Sequence, residues 1–257
     1  MIETEIIASE KPKLKNPVCL VGLPGIGHVG RIAVDYMVHQ LKAKKFAELY
    51  SPYFFPFVIV HNDQIHQLRN EFYYWIGKTR DIIFLIGDTQ TYDPKGHYEI
   101  SGKIVDFAKS LGCKEIITIG GFSTGHVTGK PKIFGVVSDQ ATSKELAKYG
   151  VELKVTGQIG TIVGGAGLIS GIGHLRGMKT YTLLGETPGF PIMVDHTAAE
   201  AVLEVVQKIL DVKFDLSKIK EEVEKMQEFI KKISEVQQQA MEQIQTKKKP
   251  EELKYIG

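Results

Sequence analysis

Cysteine is nearly missing from this 257-residue chain, with Cys19 and Cys113 the only two. Two thiols beside apolar runs build neither a disulfide framework nor a cysteine-rich zinc site, and they fit a reducing compartment. Net charge is small as well: 32 Lys+Arg against 30 Asp+Glu leave +2, which gives no electrostatic case for nucleic acid. No window reaches about 18 uninterrupted apolar residues, and Met1 to Lys15 lacks the apolar core of a signal peptide. The eight histidines show no H-E-x-x-H or comparable ligand spacing. The expectation is a soluble cytoplasmic protein with no membrane or nucleic-acid partner, no metal and no cofactor. Glycine is unevenly placed. Of 26 glycines, 25 lie between Gly22 and Gly189 and the last is the terminal Gly257. A glycine-punctuated body is followed by a stretch suited to helix.

What is present reads as an ordinary globular composition, 43% hydrophobic and 24% charged. Apolar runs at Val18 to Val21, Phe57 to Val60, Ile82 to Ile86, Ile116 to Ile119, Ile133 to Val137 and Thr180 to Leu184 predict strands covered on both faces. Between them lie helical stretches, His28 to Lys42, His97 to Leu111, Ser143 to Tyr149 and Thr197 to Leu210, the last capped by Asp195 or Thr197. The alternation predicts an α/β fold: three layers, α/β/α, around a mostly parallel sheet. Val58 to Ile76 departs from it, with two β-rich runs flanking Asn62-Asp63 as an antiparallel hairpin. From Tyr50 to Phe57 every residue but Ser51 is aromatic or proline, a stiff apolar ledge that serves as core cover or as an interface.

From Leu216 the period changes. Ile219, Val223, Met226, Ile230, Ile233, Gln237, Ala240 and Ile244 are spaced 4-3-4-3-4-3-4, a heptad seam flanked by Glu and Lys. The seam predicts a coiled-coil or partner-packing helix, with Ile219, Val223, Met226, Ile230 and Ile233 as self-association residues; the alternative is a helix lying back on its own domain. Lys247-Lys248-Lys249-Pro250 ends it. The expected organisation is a body over 1–212, a long C-terminal helix over 213–246 and a flexible tail over 247–257. Leu253, Tyr255 and Ile256 give that tail an apolar end suited to docking.

Several motifs advertise enzyme chemistry. Gly25, Gly27 and Gly30 satisfy G-x-G-x-x-G after a strand, and Glu48 stands where a ribose-binding acid would. The hairpin from Val58 breaks the β-α-β alternation that a dinucleotide site needs, so tight turning and close packing explain the glycines better. Gly121-Phe122-Ser123-Thr124-Gly125 matches G-x-S-x-G, but a nucleophile elbow continues into a helix, whereas His126 to Pro131 does not. Asp195 and His196 follow in the right order, yet as neighbours they point apart. Asp88 and Asp93 lie past a strand end where acid/base groups sit in α/β enzymes; loop or cap duty suits them better. Ile162 to Gly177 is apolar and glycine-dense, suited to cradling an anion or, more simply, to a helix packed close to the sheet or another subunit.

Four segments in this order, Gly22 to Gly30, Ile117 to Phe122, Val163 to Ile169 and Glu186 to Pro191 ahead of Asp195, give a sequence that resembles the proteasome assembly chaperone family, in particular its archaeal members. The similarity runs from about Val18 to Leu210. It implies an α/β/α sheet similar to the nucleoside phosphorylase and peptidyl-tRNA hydrolase type, without an established catalytic site. It also implies non-enzymatic scaffolds that self-associate and engage proteasome α-subunits, some through a C-terminal hydrophobic-tyrosine-any motif. Here Tyr255 is third from the end and follows Lys254; Leu253, Tyr255 and Ile256 are the residues implied for partner binding. A chain working through another family member is the related possibility. An enzyme of nucleoside phosphorylase or serine hydrolase type using the glycine-rich loops is the alternative.

Overall fold

The computed structural model describes residues 2–61, 63–125, 127, 129–153, 160–189 and 194–247. In chain order the elements are β1 (Glu5–Ala8), β2 (Val18–Gly22), a 3-10 turn (Ile26–His28), α1 (Val29–Gln40), β3 (Lys44–Tyr50), β4 (Val58–His61), β5 (Gln64–Gln67), β6 (Asn70–Trp75) and β7 (Ile82–Gly87). There follow α2 (Pro94–Ser110), β8 (Glu115–Ser123), β9 (Ile133–Val137), α3 (Gln140–Ala147), α4 (Gly165–Leu175), β10 (Lys179–Thr187), α5 (His196–Leu210) and α6 (Ile219–Lys247).

Eight strands form one sheet in the order β1-β3-β6-β7-β2-β8-β10-β9. The strands β7, β2, β8 and β10 are mutually parallel, whereas β9 and the β1-β3-β6 side pair antiparallel. The sheet is therefore mixed: parallel at its centre, as the apolar runs predict, and antiparallel at both margins, which narrows the expectation of mostly parallel strands. Every residue of β2 and β7 is buried, as strands covered on both faces require. The run at Phe57 to Val60 behaves differently. It enters the separate β4/β5 hairpin, where Ile59 is buried while Val58 and Val60 face out. The second half of the expected hairpin splits, with β6 joining the main sheet.

Alternation along the central strands divides the core. Val18 and Leu20 point to the layer of α1 and α5, and Cys19 and Val21 point to the layer of α2 and α4. Helix starts are fixed by aspartates. Asp93 accepts from Gly96 N at 2.7 Å ahead of Pro94, Asp139 accepts from Thr142 N at 2.8 Å, and Asp195 accepts from Ala198 N at 2.9 Å. Each satisfies a backbone donor that the first turn leaves unpaired.

Helix α6 begins within the α1/α5 layer and crosses to the opposite one. Ile219 and Val223 are 3% exposed and belong to the first core cluster, whereas Ile233, 4% exposed, belongs to the second. These three seam residues thus lie against the chain's own body.

Candidate functional site at the carboxyl edge of the sheet

Strands β2, β7, β8 and β10 end at the same edge, the place where α/β folds put ligands. The glycines there perform packing. A Cβ on Gly22 would lie 2.2 Å from the Gly30 carbonyl oxygen, and one on Gly30 would lie 2.2 Å from that of Ile119. Gly27 and His28 take positive φ, 61° and 51°, to turn the chain into α1. Glu48, the candidate ribose acid, sits on β3, which β6 and β7 separate from β2. Its carboxylate instead pairs with Lys45 at 2.8 Å and Arg69 at 3.3 Å.

The hydrolase motif is likewise dispersed. Ser123 ends β8 and its hydroxyl donates to Pro188 O at 3.3 Å. One carboxylate oxygen of Asp195 accepts from Ala198 N, and the other accepts from the Thr187 hydroxyl at 2.7 Å. Asp93 is a helix cap, and Asp88 accepts from His66 Nε2 at 2.7 Å and Arg69 N at 3.2 Å. No group of histidine, cysteine and carboxylate side chains that could hold a metal occurs among the described residues.

Two features of this edge, at Gln90 and His28, carry no motif in the sequence, and a third, α6 lying back on the body, is the alternative offered by its heptad seam. Gln90 bridges two glycine motifs: its Oε1 accepts from Gly165 N at 2.7 Å, at the start of α4, and its Nε2 donates to Pro24 O. His28 is buried, and burial first, then the charge of Arg31, brings its imidazole down from 6.5 to about 4. Helix α6 lies across the ends of β2 and β7, where Gln237 Nε2 donates to the Thr89 hydroxyl at 2.7 Å and Lys232 Nζ to Val60 O at 2.7 Å. Two hollows remain. A groove of about 550 Å³ runs between α6 and the loops, with Ile26, Phe55, Tyr92 and Met241 along it, and a crevice of about 420 Å³ opens between β8 and α4. Phe54 and Phe55 of the aromatic ledge are buried, and Phe55 packs on Tyr92 with ring centroids 5.1 Å apart.

Comparison with known proteins places these features. The PAC2 family model matches residues 19–234, which span the sheet apart from its edge strand β1, its helices and the first half of α6. The chain belongs to the PAC2 family. A protein of Methanocaldococcus jannaschii is 34% identical over 245 residues, 95% of this chain and 93% of the relative. Among solved structures, Pyrococcus furiosus PbaB, described as an archaeal proteasome activator, is 40% identical, with a TM-score of 0.82 over 91% of this chain and 100% of that one. Pyrococcus furiosus PbaA, described as an archaeal homolog of proteasome-assembly chaperone, is 27% identical, with a TM-score of 0.75 over 93% and 99%. The family resemblance read from the four glycine-bearing segments is thereby shown.

The residues expected to act in this PAC2 chain fall in three places. Ile219, Val223 and Ile233 are buried in its own cores. Met226 and Ile230 lie on α6, with side chains outside the described set. Leu253, Tyr255 and Ile256, and the tail that carries them, lie outside the described residues.

Proposed function

We propose that this chain is a non-enzymatic, homo-oligomeric proteasome assembly chaperone or proteasome-associated scaffold. It engages proteasome α-subunits, or another family member, through its C-terminal region, with Leu253, Tyr255 and Ile256 as the contact residues. The observation that carries the reading is the 40% identity to PbaB along the whole of that chain. The commitments of Ser123 and Asp195 to local structure support a role without catalysis. The proposed setting is the cytoplasm, in keeping with Cys19 and Cys113, both free thiols and both buried. No described helix is long and apolar enough to cross a membrane.

Self-association is the second half of the proposal. Ile219, Val223 and Ile233 hold α6 to its own body, so the seam, with Met226 and Ile230, meets another copy where α6 exchanges between bodies, as swapped elements do. Native mass spectrometry of the full chain, alone and with α-subunits, tests both halves. Oligomers that take up α-subunits are expected. A monomer that captures none rejects the proposal.

A further inference from the structure

Three glycine motifs converge on one hollow. Ile26 from the first, Gly120 and Phe122 from the second, and Ile162, Val163 and Ala166 from the third line the crevice of about 420 Å³. That volume falls in the range of about 300–1,000 Å³ typical of small-molecule sites. Its lining is unusual for this chain. Asp, Glu, Lys and Arg make up 24% of the sequence, yet not one of them lines the crevice among the described residues. A phosphate, carboxylate or ammonium would lose its hydration there without a charged side chain among the described residues to compensate it. The backbone amide that would greet an anion, Gly165 N at the start of α4, is already taken by the neutral Gln90 amide at 2.7 Å.

The other polar side chains of the described lining are two hydroxyls. Ser123 donates to Pro188 O at 3.3 Å, which leaves its oxygen lone pairs to accept, and the exposed Thr161 also lines the crevice. Apart from Gln90 and the glycines, the rest of the described lining is aliphatic or aromatic, Leu23, Ile119 and Leu184 included. We propose that this crevice binds a small, uncharged, mainly apolar molecule bearing a hydrogen-bonding group that meets Ser123 or Thr161. The property is separate from partner capture by the tail and does not depend on it.

Fluorescence titration of the full-length protein with the neutral dye Nile red tests the proposal, alongside thermal shift with inorganic phosphate and ATP. Saturable one-site dye binding is expected. Ala166→Phe, which fills the crevice, and Val163→Asp, which sets a charge at a position 87% exposed on its rim, should each weaken binding at least tenfold. Ile65→Asp, on the exposed hairpin face, should leave it unchanged. If Ala166→Phe fails to fold by circular dichroism, Val163→Asp decides. Non-saturable binding, binding unchanged in the folded crevice variants, loss of binding in Ile65→Asp, or stabilisation by phosphate or ATP with displacement of the dye would each overturn it.

Discussion

Gln237 and Thr89, 148 positions apart in sequence, meet side chain to side chain at 2.7 Å and tie the C-terminal helix to the loop after β7. Lys232 adds a bond to Val60 O, and Ile233 is buried just after it. These contacts tie the second half of α6 to the body, and the loss of one of them should be felt locally. Gln237→Ala is expected to cost about 1 kcal/mol, the usual worth of one hydrogen bond. Hydrogen exchange should speed up over residues 231–247 while β2 and β7 stay protected. Uniform exchange changes across the whole chain would contradict a locally held strap.

Glycine substitutions should split by position. Gly30→Ala drives a methyl to 2.2 Å from the Ile119 carbonyl; overpacking of this kind costs about 1–3 kcal/mol or more. Gly171, inside α4, has nothing within 4 Å of where an added methyl would sit, so Gly171→Ala should stabilise by roughly 0.5–1 kcal/mol through helix propensity. Urea denaturation of the two variants checks the sign of each. Equal effects would show that the glycines share one role.

His28 gives a pH dependence with a definite sign. Unfolded, its imidazole titrates near 6.5; folded, burial holds it neutral down to about 4. The unfolded state therefore binds the proton first as pH falls, and stability contributed by the neutral ring is present above 6.5 and lost between 6.5 and about 4. A gap of this size corresponds to about 3 kcal/mol. His28→Asn tolerates the left-handed backbone and should flatten stability against pH across that window by one proton's worth of slope. Identical slopes in wild type and variant would refute the assignment.

Local chemistry made much of the fold legible. Asp195 ahead of a helical pattern, unbroken apolar runs at β2 and β7, and the Asn62-Asp63 pair between β4 and β5 each encode a structure that depends on neighbours in sequence. The antiparallel half of the sheet was not legible, because β3, Lys-Lys-Phe-Ala-Glu-Leu-Tyr, mixes charge and apolar residues and its pairing with β6 is a tertiary choice. The same limit hid the site. Gln90 has no motif; only folding sets its amide between Pro24 O and Gly165 N. The heptad seam was visible at Ile219, Val223 and Ile233, but periodicity reports a buried face without naming what buries it.

The proposed contact residues Leu253, Tyr255 and Ile256 lead to the sharpest functional test. Removing the chain from Leu253 onward deletes three apolar side chains and leaves α6, with its anchors at Ile219, Val223 and Ile233, intact. Oligomer size should therefore stay constant, while capture of proteasome α-subunits in a pull-down should fall. A body carrying several tails gains affinity by linking weak contacts, so losing one side chain from every copy is multiplied across the assembly. Tyr255→Ala alone should then weaken capture at least tenfold, and Lys254→Ala, which removes a charge without removing apolar area, should leave it near wild type. Equal capture by wild type, Tyr255→Ala and the deletion would separate the tail from partner binding and return attention to the carboxyl-edge groove beside Ile26, Tyr92 and Met241.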